Sequence, residues 1–189
     1  TTVSYEKLEM NYGLPGSPEG HINGVDLKMS KRSQKLNHHM DISLLNFQTF
    51  DIDQRYINYN HSEYVTGSNS ASVSMGQNLF SLQGKLTGAQ LTLGSLIQYR
   101  DFRAGGFYWT PDTEETRFSV FGLFQTNINK MVLQISSRLE YLVIEPDTSL
   151  FMSNLNEEEI VKRDFTILCG SIGLNRSWSN LEVSLATMI

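Results

Sequence analysis

Between residues 130 and 144, apolar and polar side chains change places at nearly every step. Met131, Leu133, Ile135, Ser137, Leu139, Tyr141 and Val143 form one set; Val132, Gln134, Ser136, Arg138, Glu140 and Leu142 form the other. A helix would mix the two sets, whereas a strand keeps them on opposite faces. Residues 86–100 behave alike. Ala89, Leu91, Leu93, Ile97 and Tyr99 face one side, and Gln90, Thr92, Gly94, Gln98 and Arg100 the other. In residues 70–82, Ala71, Val73, Met75 and Leu79 oppose Ser70, Ser72, Ser74, Gly76 and Asn78. In the last ten positions, Leu181, Val183, Leu185, Thr187 and Ile189 oppose Asn180, Glu182, Ser184 and Ala186. Residues 118–124 and 165–174 read as strands apolar on both faces. Weaker alternation covers residues 3–12, 25–29, 40–50 and 56–64.

The breakers support strands. Pro15, Pro18, Pro111 and Pro146 fall between periodic runs, where the missing N–H harms no ladder. Turn-like clusters stand at residues 13–20, 66–70, 84–88, 110–115, 127–130 and 175–180. The one helical candidate is residues 153–162, in the longest expected loop, with Ser153 as a cap ahead of Glu157, Glu158 and Glu159. Several periodic runs far exceed the five or six residues of an average strand. The expectation is an all-β fold: an antiparallel up-and-down β-barrel or large curved sheet of about 8–11 long strands. Residues 1–189 read as a single β domain, whole or as a piece of a longer chain.

Composition matters through what the polar faces lack. Only 19% of residues are charged beside 40% hydrophobic, against about 25% charged in ordinary soluble domains. A polar face meeting bulk water would be rich in Lys and Glu; these faces are mostly Ser, Gln, Thr, Asn and Gly, with isolated Arg and Glu. Transmembrane strands need about 9–11 residues with alternate side chains toward lipid and lumen. On that reading Gln98, Arg100, Gln134, Arg138, Glu140 and Glu182 point inward. In a narrow barrel they pair and plug it; in a wide one they line a channel. The net charge of −5 argues against nucleic acid as a partner. Expected partners are membrane lipid or another apolar ligand, with other subunits as a further option. A short connection at residues 127–130, a long one at 145–162 and a short one at 175–180 match the alternation of turns and external loops in outer-membrane barrels. Tyr99, Phe107, Tyr108, Trp109, Tyr141 and Trp178 are candidates for interfacial girdles.

In these features the chain resembles bacterial outer-membrane β-barrel proteins as a class, over roughly residues 70–189. The stretch Gly105-Gly106-Phe107-Tyr108-Trp109-Thr110-Pro111 is similar to a Gly-aromatic-x-x-Pro segment in barrels of exopolysaccharide-secretion proteins. The resemblance implies a bacterial outer-membrane location and a structural, pore or export role without catalysis. Two alternatives stand beside it. One is a soluble β-sheet or barrel that binds or transfers lipid or another apolar ligand, with its apolar face inward. The other is a β-rich subunit of a larger assembly.

Signals for chemistry are thin. His38 and His39 are adjacent, so a strand sends them to opposite faces, and no HxH or HExxH spacing is present. All four histidines, His21 and His61 included, read as exposed loop residues. G-x-S-x-G is absent. Asp112, Glu114 and Glu115 lack the spacing of a calcium loop and read as a solvated loop. Cys169, the single cysteine, reads as a small hydrophobe on a buried or lipid-facing side. No catalytic residue, cofactor or metal site is expected.

Overall fold

The computed structural model describes residues 1–17, 22–106, 110–147, 160–178 and 181–188. Strands dominate: β1 (Thr2–Leu14), β2 (Val25–Leu44), β3 (Phe47–Val65), β4 (Val73–Gly88), β5 (Leu91–Gly105), β6 (Asp112–Ile128), β7 (Met131–Asp147), β8 (Arg163–Trp178) and β9 (Leu181–Met188). They form one nine-stranded sheet in chain order, each strand antiparallel to the next. This is the all-β, up-and-down architecture that the alternation predicts, in its curved-sheet form. Among the described residues the edges are β1 and β9, and the sheet is not closed.

The connections sort by rim. Two residues join β2 to β3 (45–46), β4 to β5 (89–90), β6 to β7 (129–130) and β8 to β9 (179–180). The intervening connections, residues 15–24, 66–72, 106–111 and 148–162, are all longer. In an antiparallel meander the two classes lie at opposite ends, giving a tight-turn rim and a long-loop rim. Asn129 and Lys130 both have positive φ (47° and 70°), the pairing of left-handed residues that a primed hairpin turn requires. Lysine there carries a steric cost that glycine lacks. Lys130→Gly is therefore expected to stabilise the hairpin by up to about 1 kcal/mol, measurable as a higher denaturant midpoint.

Which face is which follows from exposure. In β5–β7 the side chains of Leu91, Leu93, Ile97, Tyr99, Phe118, Val120, Phe124, Ile135, Leu139 and Tyr141 are exposed. On the other face Glu115, Ser119 and Glu140 are buried, and Ser119 has 0% exposure. Each described strand makes substantial contacts only with its neighbours in the sheet. A single layer shields one of its own faces only by curling over it. The polar face is thus concave and the apolar face convex.

Close packing on the concave side is visible at Gly94. A Cβ added there would lie 2.3 Å from the Phe121 ring, which stands over it from the paired position on β6. Gly94→Ala is expected to cost about 1–2 kcal/mol by overpacking. The cost should largely vanish in a Phe121→Ala background, a coupling that a double-mutant cycle reads directly.

Several expectations change. Residues 40–50 are not one strand but a hairpin, Asp41 to Thr49, turning at Leu45 with φ 54°. No Gly or Pro marks that turn, which hid it. Residues 110–115 are not a loop, because β6 begins at Asp112. Val73, Met75 and Leu79 lie on the concave face, opposite Glu63, His61 and Ile57, so the alternation in residues 70–82 runs with its apolar set inward. Residues 84–88 and 175–178 belong to β4 and β8 rather than to turns. In β8, Phe165 and Ile167 share the concave face with Leu142 and Glu140, while Leu168, Ile172 and Leu174 lie on the exposed convex one. The helical candidate rests mostly on residues 153–159, outside those described.

Candidate functional site

The concave face of β5–β7 carries an oblique ladder of charges. Arg100 stands opposite Glu115. Its Nη2 donates to Glu115 Oε2 at 2.7 Å. Arg117, two residues along β6, donates from Nη2 to Glu115 Oε1 at 3.2 Å. The Arg117 Nε lies 3.5 Å from Glu140 Oε1 on β7. Arg138 Nη2 donates to Glu140 Oε2 at 2.5 Å. Each carboxylate therefore bridges two guanidiniums; because the acids are desolvated, these pairs are screened less than exposed ones and the loss of one partner costs more. Ser119 pairs in register with Glu140 and lies at the middle of the ladder.

The strand periodicity explains the placement. Glu115, Arg117 and Ser119 alternate with Thr116, Phe118 and Val120 along β6, so the polar set points to one face and the apolar set to the other. Cross-strand neighbours on one face are close enough to interact, and the β5–β6 and β6–β7 registers bring the polar set of all three strands together.

Of the residues singled out in the sequence, the structure unites Arg100, Arg138 and Glu140 in this ladder. Gln98 is half-buried on the same face, opposite Arg117. Gln134 lies lower on that face, nearer the tight-turn rim, and donates from Nε2 to Gln125 Oε1 at 2.9 Å. For Glu182 the backbone register is described, opposite Ser177; its side chain lies outside the described residues. Glu115 and Arg117 were missed. Glu115 falls in an apparent loop cluster, and Phe121 and Leu123 disguise the alternation of β6. The legible signal was Glu-x-Arg-x-Ser at period two.

The histidines and the cysteine also move. His38, His39 and His61 are on strands, not loops; His21 lies outside the described residues. His39 Nδ1 is 2.6 Å from Asp51 Oδ1 on the concave face, and Lys85 Nζ is 3.4 Å from Asp51 Oδ2. His61 Nε2 is 3.0 Å from Glu63 Oε1. Cys169 is exposed and stands opposite Arg138, on the concave side rather than a lipid-facing one. At the long-loop rim Lys162 Nζ donates to Glu145 at 2.6 Å, and that carboxylate holds the ammonium above its ordinary range.

The convex face has its own order. Cross-strand pairs Tyr56–Phe80, Phe80–Tyr99 and Phe118–Tyr141 lay aromatic rings across β3–β7. Toward the long loops the same face turns polar, with Asn58, Asn78, Asp101, Glu114 and Glu145. Toward the tight turns it carries Leu82, Leu93, Ile97, Val120, Phe124, Ile135 and Leu139, with no charged residue on this face of β4–β7. Tyr99 and Tyr141 thus stand in this aromatic row; Phe107, Tyr108 and Trp109 and the Trp178 side chain lie outside the described residues. No protein-family model matches the chain, and no curated protein matches it in sequence.

Proposed function

We propose that this chain forms wall of a bacterial outer-membrane β-barrel, with its convex face against lipid and its concave face toward an aqueous lumen. Its role is that of a pore or export component without catalysis. The observation that carries the reading is the convex band. From the aromatic row to the tight turns it spans residues 91–99 of β5 and 131–141 of β7, nine and eleven residues. A tilted transmembrane strand uses about 9–11. Aromatics at the upper border of an uncharged band, with polar residues above, suit a membrane–water interface. Tight turns at one rim and long loops at the other support the same orientation.

A soluble carrier of an apolar ligand would put its apolar side chains on the concave face. Here the ladder of arginines and glutamates occupies the β5–β7 part of that face, beside apolar side chains such as Met75, Leu79 and Phe165, while the uninterrupted apolar band lies on the convex face, which weighs against such a carrier. A subunit of a larger β assembly has one observation in its favour: β1 is exposed along its whole length, an edge open to another strand. The discriminating experiment is refolding with and without detergent, followed by gel mobility with and without heating. Folding only in detergent or bilayers, with a heat-dependent shift, supports the barrel. A folded, detergent-free complex supports the assembly.

A further inference from the structure

We infer that the ladder on β5–β7 is a binding site for the oxyanion of a solute, a carboxylate or phosphate group, and that it gives the concave face a preference for anions. The inference rests on the lumen reading for how a solute reaches the ladder.

Its first ground is the layering of charge. The Glu115 and Glu140 side chains are 9% and 11% exposed, whereas Arg100, Arg117 and Arg138 are 37%, 31% and 40% exposed. The acids lie beneath and the guanidiniums lie over them. A solute at the ladder therefore meets cations, although the chain as a whole carries a net charge of −5. Lys85 over Asp51 repeats the order on β4 and β3, at 38% against 24%. Fields of one sign along a confined wall select ions by charge.

The second ground is a surplus of donors. Three guanidiniums bring five N–H groups each, and two carboxylates cannot accept them all. The buried Arg100 Nε and Ser119 Oγ make no hydrogen bond among the described residues, and the Arg117 Nε has only its 3.5 Å approach to Glu140 Oε1. Buried polar atoms nearly always find a partner. A group with several acceptor oxygens and negative charge supplies what these donors lack, and the planar guanidinium fork fits carboxylate and phosphate geometry. Gln98, beside Arg117 in the register, adds an amide at the edge of the same patch.

The test uses inorganic phosphate as the probe, with the protein refolded in detergent micelles. Phosphate is titrated while the arginine Nε–H signals are followed by NMR. Saturable shifts at Arg100 and Arg117 are expected, weakened at least several-fold in Arg100→Gln and unchanged in Arg32→Gln, whose arginine lies on the opposite face. Should Arg100→Gln fail to fold, Arg138→Gln at the far end of the ladder serves in its place. Saturable binding that survives the ladder substitutions, or no binding at all, overturns the site. A second measurement is the reversal potential of the reconstituted protein across a KCl gradient. Anion preference that falls in Arg100→Gln/Arg138→Gln is expected; cation preference in the unsubstituted protein overturns the inference. The two failures are separable. A conducting pore without phosphate binding removes the site and leaves the barrel. Phosphate binding by a protein that folds in water without detergent leaves the site and removes the barrel.

Discussion

Leu139→Arg is expected to impair insertion or folding in a bilayer, at a cost of about 2–4 kcal/mol if the position lies near the midplane. Leu139 is exposed on the convex face, on the same side of β7 as Ile135 and Tyr141. In water an exposed leucine changed to arginine would cost next to nothing, because surface substitutions rarely exceed about half a kcal/mol. The same substitution at Gln134, on the other face of the same strand, is expected to be nearly neutral in the bilayer as well. Parallel refolding of Leu139→Arg and Gln134→Arg into vesicles, read by the heat-dependent gel shift, gives the comparison. Equal folding of the two would show that the convex band does not face lipid.

Glu115→Gln should produce the second large effect. It removes the charge that joins Arg100 to Arg117 and leaves two guanidiniums facing one another across β5 and β6. Removing one partner of a fully buried ion pair costs about 3–5 kcal/mol. These arginines are partly solvated, so about 2–3 kcal/mol is expected here. Arg100→Gln in the same chain should recover part of the loss, since it removes the charge that Glu115→Gln strands. Denaturant unfolding of the two single variants and the double variant measures the coupling. Strict additivity would mean that the ladder is a set of independent surface pairs.

The sequence made the strands of the second half legible because their polar and apolar sets alternate without interruption. In β5 and β7 the alternation identified Arg100, Arg138 and Glu140 as sharing a face before any register was known. It could not supply the register, which decides that Glu115 meets Arg100 rather than Arg103. β6 was obscured by Phe121 on the concave side. That ring covers Gly94 on the neighbouring strand, so its position is a matter of cross-strand packing invisible to a count along one strand. The first half was less legible for another reason. The concave face of β2 and β3 mixes Leu27, Met29 and Ile57 with Lys31, Lys35 and Arg55, and a turn at Leu45 and Asn46 carries no glycine. Met75 and Leu79 show the limit of the method: alternation fixes which residues share a face but not which face turns inward.

The central claim is that the two faces of this sheet meet different solvents, lipid outside and water inside. A cysteine scan of residues 134–141 on β7, in a Cys169→Ser background, tests it most directly. Each site carries a spin label in lipid vesicles, and its access to oxygen and to a water-soluble nickel chelate is measured. A period of two is predicted, with positions 135, 137, 139 and 141 reached by oxygen and 134, 136, 138 and 140 by the chelate. Loss of the alternation, or its reversal with the even positions in lipid, would contradict the account.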